Sequence, residues 1–193
     1  IPVLFSAIGV LVLYHFTSRG NYVVHTVPLE ITSTLKRILR SKPLRQLIIV
    51  NAMFSFVFQG FIGFLPLFIQ TYHGLSLSFA AGAFALLFII GIFVKPISGD
   101  LSDKFGGKTI ILISLFFIAM GIIFLLIFSN PVLLIAGVVL VAFGQKAFSP
   151  PMQMMLLDTV SQKNMAGDFG AARTIFFGIG SMGPLYLGIT AST

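Results

Sequence analysis

A chain of 193 residues with 57% hydrophobic and 9% charged side chains has too few polar groups to cover a soluble globule, where about 25% of residues are charged; with a mean hydropathy of +1.05 it belongs in lipid. The absence of Cys excludes a disulfide framework, a reactive thiol and a Cys-ligated metal site. The net charge of +7 does not point to nucleic acid, because it is concentrated in one connecting stretch, 17–45, where Arg19, Lys36, Arg37, Arg40, Lys42 and Arg45 stand against Glu30 alone.

Six apolar segments are read along the chain, at 1–16, 46–70, 76–96, 109–128, 131–156 and 172–190. A spanning helix needs roughly 17–25 residues, so the last five suffice and the first reads as the truncated end of a preceding transmembrane helix. Helix is the state expected of each, since an open strand leaves its backbone unsatisfied in lipid and barrel strands alternate in polarity. The expected fold is therefore all-α, a polytopic transmembrane helix bundle. The chain starts at Ile1, without a Met or the charged start of a signal peptide, and stops inside an apolar run at Thr193. It reads as a fragment of a longer protein.

The connections alternate in charge. Stretch 17–45 is basic, Tyr72-His73-Gly74-Leu75 has no Lys or Arg, 97–108 carries Lys104 and Lys108, Ser129-Asn130-Pro131 is uncharged, and 157–171 carries Asp158, Lys163 and Asp168. Charged and uncharged links thus fall on opposite sides, and the positive-inside rule makes the charged side cytoplasmic in a cell membrane, with Ile1 and Thr193 outside. Within 17–45, Leu35, Ile38 and Leu39 sit beside Lys36, Arg37 and Arg40 at helical spacing. This predicts a short amphipathic helix on the inner surface, stopped by Pro43. A solvated linker that sets topology and a regulatory element are both open for it.

Segment 46–70 carries a stripe. At 100° per residue, Asn51, Ser55, Gln59, Gly63, Pro66 and Gln70 fall within about a third of the circumference. Either the stripe packs against another helix or it lines a wet cavity. Segment 76–96 begins with Ala80, Ala81, Gly82 and Ala83 and ends in Lys95-Pro96, where Lys95 is expected to snorkel to the headgroups. Segment 109–128 has little polarity beyond Ser114 and reads as a lipid-facing or packing helix.

Segment 131–156 is striped too, with Gln145, Ser149 and Gln153 at i, i+4 and i+8 and Lys146 read on the same side. Lys146 lies about 15 residues, or ~22 Å of helix, from the outer end. A Lys at that depth needs water or a partner, so it either snorkels or pairs structurally, or it faces a cavity and attracts an anionic or polar group of a ligand. Pro150-Pro151 is expected to break the helix. In segment 172–190, Gly180, Pro184 and Gly188 are four apart, and with Gly183 they make a smooth face for close helix contact. Arg173 stands at its cytoplasmic start.

The strongest motif is the polar island Gly99-Asp100-Leu101-Ser102-Asp103-Lys104-Phe105-Gly106-Gly107-Lys108, read as a short loop turning at a membrane surface. Its Gly99, Leu101, Asp103, Lys104, Gly106 and Lys108 match the signature loop of the major facilitator superfamily, G-x-L-x-D-R/K-x-G-R-R/K, found between the second and third helices of a six-helix half. Gly107 departs, where the family prefers Arg. The run from Gly178 to Gly188 resembles the Gly-Pro helix late in each half, and 17–45 resembles the connection between halves. The chain thus resembles the C-terminal half of such a transporter, family helices six to eleven, with the first five and the twelfth missing. Among the branches it looks most like drug efflux.

The resemblance implies a secondary transporter that moves a small molecule by alternating access, with proton-coupled efflux as one form of the cycle. It implies that the first and fourth helices of the half line the central cavity, and those are the two striped ones. Asn51, Gln59, Gln145, Lys146 and Gln153 would then contribute one wall of the substrate site, and Asp103 with its basic neighbours would latch the cytoplasmic side in the outward-open state. The loop read as a tight charged turn is the structural alternative. No Asp, Glu or His lies deep in a span, so a proton-carrying residue is expected in the missing half. The expected partners are the lipid bilayer, that half and an unidentified solute, with no nucleic acid, cofactor or metal and no enzymatic activity. A small or dimerising channel or permease and a non-transporting receptor of this fold are the other classes open.

Overall fold

The computed structural model describes residues 14–15, 31–160 and 164–191. The chain falls into two units, Ile1–Glu30 and Ile31–Thr193. Of the first, only Tyr14 and His15 are described, as helix. The expected span at 1–16 and the part of the basic linker carrying Arg19 and Glu30 lie outside the described residues. The second unit is helical throughout: α1 (Ile31–Arg40), α2 (Lys42–Thr71), α3 (Leu77–Phe105), α4 (Gly107–Ile127), α5 (Pro131–Thr159) and α6 (Met165–Ala191).

Helices α2, α3, α4 and α5 are long and apolar enough to cross a membrane. The fifth expected span forms the 27-residue α6, where Gly178, Gly180, Gly183 and Gly188, with Asp168 and Arg173, dilute the apolar content. The ends carry local signals. Pro43 sits in the first turn of α2, where its fixed φ starts a helix and its missing N–H loses nothing, so it opens α2 as well as closing α1. Ser76 and Asn130 cap α3 and α5 by accepting from Phe79 N–H and Val132 N–H.

Two differences from the sequence reading have clear causes. The polar island is not a loop. Residues Gly99 to Phe105 form the last two turns of α3, Gly107 already begins α4, and the chain reverses at Gly106 alone, with φ +84°. A φ of that sign suits Gly, and Gly106 N–H caps α3 by donating to Ser102 O at 2.9 Å. Nor does Pro150-Pro151 end α5, which continues to Thr159. Pro151 strips the i−4 carbonyl, Ala147 O, of its intrahelical donor. Buried Ser98 of α3 supplies the replacement, donating Oγ–H to Ala147 O at 2.6 Å. A hydroxyl from a neighbouring helix is what makes proline tolerable inside a bundle in lipid.

Two seams close most tightly, α4 on α5 and α2 on α6, and α3 packs along α5. Glycine makes both seams possible. A Cβ on Gly121 would lie 2.7 Å from Gly137 O, and one on Gly144 would strike Ser114 O. Across the other seam, a Cβ on Gly183 would strike Phe56 O, and one on Gly180 would lie 2.8 Å from Ser55 Cβ. Pro184 rests against Gly63, and Gly188 faces Phe64. At the uncharged end, His73 Nε2 lies 2.9 Å from Leu125 O and fixes the α2–α3 turn on the last turn of α4.

At the charged end, α1 is held by more than its apolar face. Ile38 is buried in a cluster with Leu44, Ile48, Leu156, Ala172 and Phe176. Leu35 and Leu39 stay exposed and line an apolar groove with Ile49 and Met53. Arg37 donates Nη2–H to Asp168 Oδ1 at 2.8 Å and Nε–H to the same oxygen at 3.1 Å. Its Nη2 also donates to the buried Thr34 Oγ1 at 2.8 Å. Asp168 is buried in the first turn of α6, where the helix dipole favours a carboxylate.

Candidate functional site

The two polar stripes meet. A cavity of about 270 Å³ opens between α2, α5 and α6, with Asn51, Ser55 and Gln59 on one side, Gln145, Ser149 and Gln153 on the other, and Arg173 at the third. The α2 stripe serves both of the purposes open to it. Its first half, Asn51 to Gln59, faces the cavity, while Gly63 lies against Pro184 in the seam with α6. Gln70, at its end, bonds back to Pro66 O on its own helix at 3.2 Å.

Depth along the helices orders the site. At 1.5 Å per residue, Asn51, Gln153 and Arg173 lie about 9–13 Å from the charged ends of their helices, and Gln59 and Gln145 about 20–25 Å. The amide ladder thus runs from the charged end to mid-span. Gln153 is bonded within its own helix, donating Nε2–H to Ser149 Oγ at 2.9 Å. Gln145 differs: its Oε1 is buried with no hydrogen-bond partner among the described residues. An unpaired amide oxygen in such surroundings is costly unless a ligand or water meets it. The remaining wall is aromatic. Phe54 and Phe148 stack at 3.8 Å between centroids with planes 14° apart, and Phe58 stacks on Phe54 at 5.7 Å.

Lys146 is placed elsewhere. Gln145 and Lys146 are 100° apart on one helix, and here that angle separates two environments. Lys146 turns toward α3, is buried, and does not line the cavity. Its Nζ sits 5.1 Å from the Phe88 ring centroid, a cation–π contact. Its methylenes fill the space that Gly91 leaves open, where a Cβ would lie 2.9 Å from Cδ.

The cavity's cation is Arg173, read from the sequence only as a helix-start residue. It is flanked by its own helix neighbours at i−4 and i+4, with Cζ 5.6 Å from the Phe169 ring and 5.4 Å from the Phe177 ring. The signal was present as Phe-x-x-x-Arg-x-x-x-Phe. What the pattern lacked was a reason to put that face of α6 against α2 and α5.

The Major Facilitator Superfamily model matches residues 1–184. The chain belongs to this superfamily. No curated protein and no solved structure matches. Membership and the apolar helices make the chain a multi-pass membrane protein of a transporter family, not of an enzyme family. Among the described residues no group of His, Cys, Asp and Glu is arranged to hold a metal ion. The superfamily's signature residues gather at the α3–α4 corner. Asp103, Lys104, Gly106 and Lys108 are exposed there, while Gly99 and Leu101 are half-buried. Asp103 forms no ion pair among the described residues. Gly107 stands where the superfamily prefers Arg, and it closes on α5. A Cβ there would lie 3.2 Å from Met155 Sδ and 3.5 Å from Pro151 Cβ.

Proposed function

We propose that the chain forms the C-terminal half of a secondary transporter, family helices six to eleven, that carries a small molecule by alternating access. In this reading 17–45 is the link between halves, the charged ends face the cytoplasm, and the α2–α5–α6 cavity is one wall of a central site completed by the other half. The observation that carries it is the convergence of two polar stripes on one cavity at and below mid-span. A helix that met only lipid or a packed neighbour gains nothing from Asn51, Gln59 and Gln145. Asp103, exposed and unpaired among the described residues, is the latch that meets the other half on the cytoplasmic side. A cycle of proton-coupled efflux, as in the drug-efflux branch, needs its titratable carrier outside these helices, because α2–α5 hold no Asp, Glu or His at mid-span.

The chain's lack of Cys allows a test that needs no substrate. In the native polypeptide, with any cysteine outside these residues replaced, Ser55→Cys is labelled with a membrane-impermeant maleimide from each side in turn. Alternating access expects labelling from both sides, and Asp103→Asn shifts it toward the cytoplasmic side by several-fold. Labelling from one side alone defeats the mechanism, and an unchanged ratio in Asp103→Asn defeats the latch.

A further inference from the structure

We infer that the solute carried in this cavity is an aromatic organic anion, an aryl carboxylate with a further polar substituent. The inference rests on the transporter reading and adds to it the class of substrate. Its starting point is charge. Among the described residues Arg173 is the one formally charged side chain lining the cavity. No carboxylate lines it, and Lys146 faces α3 instead. Among the described residues no ion pair or hydrogen bond engages the Arg173 guanidinium, which has the Phe169 and Phe177 rings as cation–π neighbours.

Arg173 is exposed, with its guanidinium carbon 5.6 and 5.4 Å from the Phe169 and Phe177 rings of the adjacent turns and its N–H groups open to a ligand. An open guanidinium suits the two oxygens of a carboxylate, which it can meet with paired charge-assisted hydrogen bonds. On this wall nothing acidic offsets Arg173 among the described residues, so the wall favours an anionic group over a cationic one. Arg173, Asn51 and Gln153 stand at similar depth, so the anionic group binds at the charged end of the cavity.

The second observation concerns the rest of the solute. Beyond Arg173 the cavity is lined by Phe54, Phe58, Phe148 and Met152, an apolar wall against which an aromatic ring can pack. At the far end stands the buried, unpartnered Gln145 Oε1, with Gln59 opposite. The Asn51-to-Gln59 ladder is about 12 Å long, enough for a carboxylate, a ring and a hydroxyl or amine in line. The hydroxyl or amine donates to Gln145 Oε1 and removes its desolvation penalty.

The test uses three probes that share a ring and a hydroxyl and differ in charge: 4-hydroxybenzoate, 4-hydroxybenzamide and 4-hydroxybenzylamine. Each is measured for binding to the purified native polypeptide and for counterflow in proteoliposomes. The expected result is that the carboxylate binds at least 10-fold tighter than the amide, and that the amine does not bind. Arg173→Ala weakens carboxylate binding about 10- to 100-fold, and Arg173→Lys recovers part of it. The thermal midpoints of both variants stay near that of the parent, which shows that they remain folded. Equal binding of the three probes, binding of none, or undiminished carboxylate binding in Arg173→Ala overturns the inference. Carboxylate binding that depends on Arg173 but gives no counterflow upholds the site and defeats the transporter reading instead.

Discussion

Helix α5 is used in opposite ways on its two sides. Toward α4 it presents Gly137 and Gly144, and the backbones approach until Gly144 meets Ser114 O. Toward α2 it presents Gln145, Ser149 and Gln153, and the helices stand apart around a cavity. One turn of helix thus holds both a closed seam and an open polar wall. The difference lies in the side chains. Glycine adds no volume and no unsatisfied group, so dispersion closes the gap. An amide brings groups that a dry seam cannot satisfy, so its face stays where a polar partner can reach it.

The comparison breaks most visibly on the seam side. Gly144→Leu must push the α4 backbone away, because Ser114 O and Ile118 occupy the space. It is expected to destabilise by more than about 3 kcal/mol and to abolish a monodisperse peak in detergent gel filtration. A well-folded Gly144→Leu protein would show that the seam is not closed by backbone contact.

Arg37→Ala comes next, because it leaves the Asp168 carboxylate buried in the first turn of α6 without the cation that pairs with it. Removing one member of a buried pair costs about 3–5 kcal/mol. Arg37 is itself part-exposed, which lowers the expected loss to about 2 kcal/mol, read as a fall in thermal midpoint. Asp168→Asn in the Arg37→Ala background should recover part of that loss. If it does not, the pair does not hold α1 on α6.

Ser98→Ala sharpens the comparison at the third seam, α3 on α5. It takes the donor from Ala147 O, which Pro151 has already deprived of its own. The expected loss is about 1–2 kcal/mol, and Ser98→Ala combined with Pro151→Ala should cost less than Ser98→Ala alone, because the helix N–H returns. Thermal unfolding of the two variants decides it.

The smallest effect on stability is expected at the open wall. Gln145→Leu removes a buried oxygen that has no partner and should leave stability within about 0.5 kcal/mol of the parent or raise it. It should still impair solute binding. A large loss of stability from Gln145→Leu would mean that this wall holds the bundle together, as the seams do.

Much of this was legible residue by residue. Arg37 and Ser98 were visible, but only as a linker charge and an unremarked hydroxyl in a loop. Their partners lie 131 and 49 residues away, beyond any local pattern. The proline pair was read by its local effect, which removes an intrahelical bond. The bond that replaces it comes from another helix, so the sequence around Pro151 carries no sign of it.

By itself the sequence determined the lipid environment, the number and order of helices after residue 31, the two polar stripes and the signature residues of the superfamily. These follow from composition, from a periodicity of 3.6 and from spacing along the chain, all of which are local. Only the tertiary structure decided what each face meets. It parted Gln145 from Lys146 by setting α2 and α3 on different sides of α5. It divided the α2 stripe between cavity and seam, and it brought Arg173 into the polar wall. A helix reports its own faces, but the neighbours that make one face a seam and another a site come from distant parts of the chain.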